Sequence, residues 1–370
     1  MTAYDAIVAG GGLVGSAVAY GLAREGLCVV VLDEGDVAYR ASRGNFGLVW
    51  VQGKGDGLPA YADWTRSSAD HWPAFAETLT DEIGQDIGYR KGGGVHLCLS
   101  ETELEDWLAL LARLHNQAGP DGYDYRMLDR REVAAMLPGV GPAVVGGTYG
   151  PHDGQVNPLL LLRSLHAGLA RHRGTYRPGA KIERIEASGG SFRVEAGGDS
   201  FVAAKLVIAA GLGSRALGQQ VGLDVPVDPL KGQVLVTERA KPLFDLPTLY
   251  VRQTTEGSIM LGDSHEDVGF DITSTAGVIG NIAARAVKSF PMLRDLRVVR
   301  SWAALRIMTP DGFPVYDESE RCPGAYAVAC HSGVTLAAAH ALRLAPAIVD
   351  GRFRELLAPF SAKRFHVQAT

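Results

Sequence analysis

The first 35 residues contain the pattern that most constrains the fold of this chain. Three glycines there have the spacing G-x-G-x-x-G: Gly10, Gly12 and Gly15. An apolar run at 6–9 precedes them, apolar residues at helical spacing follow, and a second apolar run at 28–32 ends at Asp33. A strand, a glycine turn, a helix and a second parallel strand together predict the βαβ unit that binds a dinucleotide.

The residue types in this unit suit a dinucleotide. Glycines let the backbone turn tightly, approach a pyrophosphate and bring the helix close to the strand. The helix N-terminus around Leu13 and Val14 adds partial positive charge for the phosphates. Asp33 lies 18 residues after Gly15 and is placed to accept hydrogen bonds from a ribose diol. The pattern alone leaves NAD and FAD as alternatives.

Charge and composition exclude several classes of protein. The net charge of −5 argues against nucleic acid as a partner. Residues 6–23 lack charge, but central glycines and the absence of a preceding basic segment favour neither an integral membrane helix nor a signal peptide. The four cysteines show no metal-ligand spacing, so we expect reduced thiols, no metal site and a cytoplasmic protein.

The rest of the chain predicts alternating helices and strands. Helices are expected at 61–80, 101–118 and 276–290, and a further helix should follow Asn157, whose side chain can cap it. Strands are expected in four stretches and ahead of a C-terminal helix that begins near Val334. The four stretches are 181–211, 229–238, 248–263 and 298–312.

Several further sequence blocks resemble those of a known protein family. They include "ASRGNFG", "DGQVNP", "LVIAAGLGS", "PLKGQ", "SWAALRIMTPDGFPVYD" and "HSGVTLAAAHALRLAPAIVDG". In their order and spacing the chain resembles the FAD-dependent oxidoreductases of the D-amino-acid oxidase superfamily, such as glycine and sarcosine oxidases. Within that superfamily it looks most like the catalytic FAD subunits of bacterial opine oxidase, proline dehydrogenase and hydrogen cyanide synthase.

The resemblance implies an α/β fold, α+β overall, with two interleaved domains. A Rossmann-like FAD-binding domain would be noncontiguous, and a substrate-binding domain with a mixed β-sheet would fill the intervals. The FAD-binding domain would comprise 1–55, 150–215 and 305–370. The substrate-binding domain would comprise 56–149 and 216–304.

The resemblance also implies a set of FAD-binding residues. They are Gly10, Gly12, Leu13, Val14, Gly15, Asp33, Glu34, Ser42, Arg43, Asn45, Gly47, Leu48, Ile182, Gly211, Gly333, Val334 and Thr335. Arg43 and Gly44 stand in swapped order relative to the commoner family pattern, which leaves the role of Arg43 open. The family's covalent attachment residues, a histidine in the early loop or a cysteine before "TPD", are absent, so noncovalent FAD is expected.

On the substrate side, the family chemistry is oxidation of the C–N bond of an amino acid or N-substituted amino acid, such as an opine or another secondary amine. A hydride passes to flavin N5, and the imine product is then hydrolysed. Arg306 is expected to hold the substrate carboxylate, with Arg252 as a second candidate anchor. His331 is a candidate for contact with substrate or flavin, with a purely structural histidine as the alternative. Lys54 could meet a further carboxylate, but it is interpreted as an exposed loop lysine.

Two other functions stay open at this point. The same scaffold supports dehydrogenation of a 2-hydroxy acid, and a noncatalytic flavin subunit of an assembly would share every cofactor block. The narrower resemblance further implies that electrons pass to partner subunits in a hetero-oligomer. Oxidase and dehydrogenase activity are not distinguished by these residues.

Overall fold

The computed structural model describes residues 3–35, 41–118 and 123–366 and has a mixed α/β architecture. In chain order its strands are β1 (Ala3–Ala9), β2 (Val29–Asp33), β3 (Leu48–Val49), β4 (Gly94–Cys98), β5 (Arg126–Asp129), β6 (Gly146–Gly150), β7 (Gly154–Gln155), β8 (Thr175–Pro178), β9 (Ile182–Ser188), β10 (Ser191–Ala196), β11 (Asp199–Ile208), β12 (Asp228–Arg239), β13 (Val251–Gln253), β14 (Ser258–Leu261), β15 (Val298–Met308), β16 (Val315–Glu318) and β17 (Ala325–Ala329).

The helices lie between and after these strands. They are α1 (Leu13–Arg24), α2 (Pro59–Ile83), α3 (Glu101–Gln117), α4 (Arg130–Met136), α5 (Pro158–Arg171), α6 (Ser214–Gln220), α7 (Ala276–Ser289), α8 (Ala337–Ala339), α9 (Ala345–Val349) and α10 (Phe353–Leu357). Among the described residues, no helix is both long and apolar enough to cross a bilayer.

The largest sheet has eight strands and contains the predicted βαβ unit. Its main path runs β16-β17-β11-β1-β2-β8, and the β9–β10 hairpin extends it from β11. β1 pairs in parallel with β2 and β11, while β17 and β8 continue the parallel order on either side. β2 and β17 are buried at every residue, which explains their unbroken apolar sequence. The strand–helix–strand prediction is confirmed.

Three separate parts of the chain build this sheet. β1 and β2 come from the first part, β8 to β11 from the middle, and β16 and β17 from the end. All eight strands therefore lie inside the segments 1–55, 150–215 and 305–370 that were assigned to the FAD-binding domain. The domain boundaries themselves stay a prediction.

A second, antiparallel sheet has the order β13-β14-β12-β15, and α7 packs against it. β12 and β15 form its longest pair, in which Leu230 lies opposite Arg306. Two smaller sheets, β3–β7 and β4-β6-β5, complete the structure. The pairing of Leu48 with Gln155 joins the loop after β2 to the middle of the chain.

The C-terminal helix differs from the prediction. Turns occupy 333–336, and α8 begins at Ala337 rather than near Val334. The helix then passes through a π-helical turn, His340–Leu344, before α9. Pro346 in α9 offers a physical reason, because it has no N–H and its ring would clash with the carbonyl four residues earlier in a regular α-helix.

Candidate functional site

The glycine turn after β1 has the close packing that a dinucleotide fingerprint requires. A Cβ on Gly10, at φ +102°, would lie 2.5 Å from the oxygen of Ala209. A Cβ on Gly15 would overlap the carbonyl oxygen of Gly10 and lie 3.3 Å from the Cβ of Ala209. Only glycine lets α1 approach β1 and β11 this closely, and the approach directs the α1 N-terminus at the edge of the sheet.

Asp33 organises the same turn from the end of β2. Its carboxylate accepts hydrogen bonds from the backbone N–H of Gly11 at 2.7 Å and of Gly35 at 2.9 Å. The Asp33 side chain is largely buried, whereas the neighbouring Glu34 is exposed at the mouth of the cleft. Asp33 therefore holds the glycine turn in shape, and its expected contact with a ribose stays a prediction.

A first cavity of about 280 Å³ extends from this turn. Most residues expected at the adenosine and pyrophosphate line it: Gly10, Gly12, Leu13, Val14, Asp33, Glu34, Ser42, Arg43, Ile182 and Gly211. The hydroxyl of Ser42 accepts a hydrogen bond from the N–H of Leu13 at 2.9 Å. An acceptor thus already occupies the positive end of the 12-residue helix α1, where phosphate oxygens bind in such units.

A second cavity, of about 290 Å³, begins where the first one ends. Ala41 lines both cavities, and the loop 41–48 runs along them. The predicted residues in its wall are Asn45, Leu48, Arg306, His331, Val334 and Thr335. Two adjoining cavities on one loop fit a ligand with two large ends, as FAD has.

The loop that separates the cavities has a defined turn. The side-chain oxygen of Asn45 accepts a hydrogen bond from the N–H of Gly47 at 2.7 Å. Gly47 has φ +89°, and a Cβ there would lie 2.7 Å from a guanidinium nitrogen of Arg252 and press on the carbonyl of Val156. Gly47 therefore lies behind the cavity wall and lets the loop backbone face the ligand side.

Arg252 supports this loop from below. Its guanidinium donates to the carbonyl of Phe46, lies 2.9 Å from the sulfur of Met260 and 3.5 Å from the side-chain oxygen of Gln155. The Arg252 side chain is buried, and burial lowers its pKa to about 10. The structure places it beneath the loop rather than in the wall of the second cavity.

Arg306 lies in the wall of the second cavity. Its guanidinium donates to the carboxylate of Asp263 at 2.5 Å and to the carbonyl of Ser264 at 2.8 Å. The guanidinium packs directly on Gly232, where a Cβ would lie within 2.6 Å of its central carbon. The absence of a side chain at 232 therefore leaves room for the Arg306 guanidinium, and Asp263 balances its charge.

The turn after β17 closes the cavity on the side of α1. A Cβ on Gly333 would lie 3.1 Å from the side chain of Val14. Among the described residues, none accepts a hydrogen bond from the backbone N–H of Gly333, Val334 or Thr335. Three consecutive donors without a partner in the described chain fit an oxygen-rich ligand edge such as the flavin N1–C2=O locus.

His331 and Lys54 lie on either side of this turn. The His331 side chain is open to the cavity but enclosed by neighbouring residues. Burial, followed by the charges of Lys54 and Arg306, lowers the pKa of His331 to about 3, so it is neutral at pH 7. Lys54 is half-buried in the cavity wall and donates to the hydroxyl of Ser332 at 2.7 Å. The interpretation of Lys54 as an exposed loop lysine is therefore wrong.

A buried polar network behind the cavity was not predicted. Asp153 accepts hydrogen bonds from the N–H of Val51 at 2.5 Å and from the side chain of Gln52 at 2.6 Å. Gln52 therefore points toward β4 and β6, away from the cavity, whereas Trp50 lines it. The sequence signal was weak, because "PHDGQ" differs little from an ordinary turn. Within the described ranges, no three His, Cys, Asp or Glu side chains are grouped to hold a metal ion.

Comparison with known proteins leads to the same fold. A family model described as FAD dependent oxidoreductase matches residues 5–346. A subunit of the opine oxidase from Agrobacterium tumefaciens (strain Ach5) is 44% identical over 364 residues, covering 98% of both chains. Hydrogen cyanide synthase subunit HcnC from Pseudomonas aeruginosa is 27% identical over 409 residues, covering 98% of this chain and 96% of that protein.

The solved structure of glycine oxidase from Geobacillus kaustophilus has a TM-score of 0.89 at 26% identity and covers 100% of both chains. These matches confirm the predicted superfamily, the α/β fold and FAD as the cofactor, and they decide between FAD and NAD. The chain therefore belongs to the FAD-dependent oxidoreductases of the D-amino-acid oxidase superfamily, and it is a flavoenzyme.

Proposed function

We propose that this enzyme oxidises the C–N bond of an amino acid or N-substituted amino acid. One observation carries the proposal: a guanidinium, that of Arg306, faces a cavity that adjoins the dinucleotide cleft. The similarity to one protein named as part of an opine oxidase and to another named glycine oxidase supports an amino-acid-like substrate.

The chain offers distinct groups for each part of noncovalently bound FAD. We propose that the glycine turn and Ser42 hold the pyrophosphate, and that Ile182 and Glu34 border the adenosine. The loop around Asn45 and the N–H groups of 333–335 would hold the flavin end. When bound, FAD supplies the acceptor for the hydride that leaves the substrate carbon.

We propose that Arg306 binds the substrate carboxylate. A guanidinium suits a bidentate carboxylate, and the carbonyl of Ser264 restrains Arg306, which packs on Gly232. Asp263 accepts a hydrogen bond from one terminal nitrogen of the guanidinium, so the substrate would share or displace that contact. Holding the carboxylate at a fixed point would orient the C–H bond toward the cleft, which is a positioning effect.

We propose that His331 contacts the substrate without acting as a base. A histidine whose pKa is lowered to about 3 is a weak proton acceptor at pH 7. It would line the cavity with a neutral polar surface next to two cations. We propose Arg252 as a positioning residue, because it holds the carbonyl of Phe46 in the loop between the cavities.

We also propose that the enzyme works with partner subunits that accept its electrons. Support comes from the relatives from opine oxidase and hydrogen cyanide synthase, both of which are named as subunits. Gel filtration of the purified chain, and reoxidation by oxygen compared with a dye acceptor, test this proposal. Rapid reoxidation by oxygen of a stable single chain would argue against it.

The proposed reaction is tested by anaerobic mixing of the FAD-loaded enzyme with a panel of amines. Amino acids and N-substituted amino acids should bleach the flavin absorbance, and the matching 2-hydroxy acids should not. Bleaching by hydroxy acids alone would replace the proposal with 2-hydroxy-acid dehydrogenation. Bound FAD that no compound reduces would contradict a role in oxidising either class.

A further inference from the structure

The charges in the second cavity do not balance. Its charged wall residues in the described chain are Lys54, Asp263 and Arg306. Asp263 pairs with Arg306 at 2.5 Å. Lys54 donates only to hydroxyl groups, those of Ser332 at 2.7 Å and Thr335 at 3.4 Å, and has no ion pair with any described residue. One positive charge in the wall is therefore uncompensated.

The surroundings of Lys54 keep it in place. Tyr61 lies 2.9 Å from the hydroxyl of Ser332, so a fixed chain of hydroxyls holds the ammonium group from one side. The turn that carries Lys54 is fixed by Asp153 through the N–H of Val51. Asp153 also attracts Lys54 electrostatically, but it is fully buried and already accepts hydrogen bonds from this turn. A lysine ammonium held at a cavity wall by neutral acceptors is suited to bind an anion from the cavity.

We propose that Lys54 binds a second carboxylate of the substrate, so that the enzyme prefers secondary amines carrying two carboxylates. This inference rests on the proposed function, in which Arg306 holds the first carboxylate. Lys54 and Arg306 both act on His331, which places the two cations around one region of the cavity. A molecule with a carboxylate on each side of its nitrogen would satisfy both cations and present the C–N bond between them.

Binding of a matched ligand pair tests the proposal without turnover. The dicarboxylate probe is 2,2′-oxydipropanoate, in which an ether oxygen replaces the amine nitrogen. The monocarboxylate probe is 2-isopropoxypropanoate, in which a methyl group replaces one carboxylate. Calorimetry on the FAD-loaded enzyme at pH 7 gives both dissociation constants.

In Lys54→Met, the dicarboxylate should bind roughly 10- to 100-fold more weakly, as expected for loss of a charged hydrogen bond, and the monocarboxylate should be nearly unchanged. Lys54→Arg should keep most of the preference. Lys363→Met is the matched control, since Lys363 is exposed and pairs with Glu320 on the surface; it should change neither constant. Equal weakening of both probes in Lys54→Met would overturn the proposal and assign Lys54 to the cofactor.

Wild-type enzyme provides a test that needs no variant. Burial lowers the pKa of Lys54 to about 8, so its charge is present at pH 7 and largely lost at pH 9.5. The neighbouring groups keep their charge state over this range. The pKa is about 6 for Asp153, about 3 for His331 and about 12 for Cys330, and burial raises the pKa of Tyr61 above its ordinary value. The preference for the dicarboxylate should fall between pH 7 and 9.5, and a constant preference would contradict the proposal.

Failure of the proposed function would look different. If N-(1-carboxyethyl)alanine and N-isopropylalanine both fail to bleach the flavin while the ether probes still bind in a Lys54-dependent way, the reaction is wrong but the anion site stands. If both amines bleach the flavin with similar efficiency and Lys54→Met changes neither, the reaction stands and the second carboxylate site is wrong.

Discussion

Gly15→Ala and Gly280→Ala make the same change in two helices and should change the stability of the fold in opposite directions. Replacing a helical glycine by alanine favours the folded helix by roughly 0.5–1 kcal/mol. Gly280 lies on the exposed side of α7, and no atom lies within 4 Å of where its Cβ would be. The Gly280→Ala control should therefore gain stability by about that amount.

At Gly15 the steric cost exceeds this gain. The added Cβ would overlap the carbonyl oxygen of Gly10 and lie 3.1 Å from its carbonyl carbon. Backbone atoms cannot rotate away, so α1 has to move from β1. Overpacking typically costs about 1–3 kcal/mol, and a value of about 3 suits a backbone clash. Subtracting the helix gain of about 1 kcal/mol leaves a net loss of stability of about 2 kcal/mol. The same movement withdraws the α1 N-terminus from the phosphates, so FAD should bind more weakly.

Thermal unfolding of the apoproteins and titration with FAD measure the two effects separately. With about 2.1 cal/mol/K of unfolding entropy per residue, a loss of 2 kcal/mol in this chain corresponds to a decrease in Tm of about 3 °C. Gly280→Ala should raise Tm by about 1 °C and leave the dissociation constant of FAD unchanged. A Gly15→Ala protein with wild-type Tm and full flavin content would refute the reasoning, as would an equal loss in both variants.

Three further predictions concern the two cavities and the C-terminal helix. Asn45→Ala removes the acceptor for the N–H of Gly47, a loss of about 1 kcal/mol that should raise the dissociation constant of FAD about fivefold. An unchanged dissociation constant in a fluorescence titration would contradict this. Arg306→Met should lower kcat/KM for a carboxylate substrate by about 10²–10³, with partial activity in Arg306→Lys, while the FAD content stays constant; equal activity in all three proteins would exclude Arg306 as the anchor. Burial lowers the pKa of His340 to about 3, below its ordinary value of 6.5, so the unfolded chain binds the proton more readily and stability should fall as pH drops below 6.5. His340→Gln should remove about 1 kcal/mol of that loss between pH 7.5 and 5.5, as measured by urea unfolding at both pH values, and an unchanged pH slope would contradict the assignment.

Local patterns sufficed where neighbours in sequence are also neighbours in space. The glycine turn, α1 and β2 follow from spacing alone, because several of their contacts lie within one βαβ unit, such as that of Gly15 with the carbonyl of Gly10. Asn157 was predicted to cap a helix, and its side chain accepts hydrogen bonds from the N–H of Leu159 and Leu160. The start of α8 was predicted three residues too early, because overlapping turns compete with the helix at 333–336.

The environment of charged side chains could not be predicted from local sequence patterns. Lys54 and Ser332 are 278 residues apart, and their contact decides whether that lysine is a surface residue or a cavity residue. Arg252 was a candidate anchor because an arginine in a strand of the substrate region suits a carboxylate. Its guanidinium instead meets the carbonyl of Phe46, 206 residues away. Such contacts depend on how three separate segments assemble, and the spacing of residues within one segment does not predict that assembly.

Thr335 shows how closely the two cavities depend on one another. Its hydroxyl accepts a hydrogen bond from the N–H of Trp50 at 3.1 Å, and its carbonyl accepts from the side chains of Ser68 and Trp72 at 2.7 and 2.9 Å. One buried residue thus joins the turn at 333–335, the loop after β3 and helix α2. Because Trp50 and Lys54 lie on that loop, a change that shifts the turn also shifts the cavity wall opposite Arg306. The proposed flavin contacts and the proposed substrate contacts are therefore linked through Thr335, although they lie far apart in the sequence.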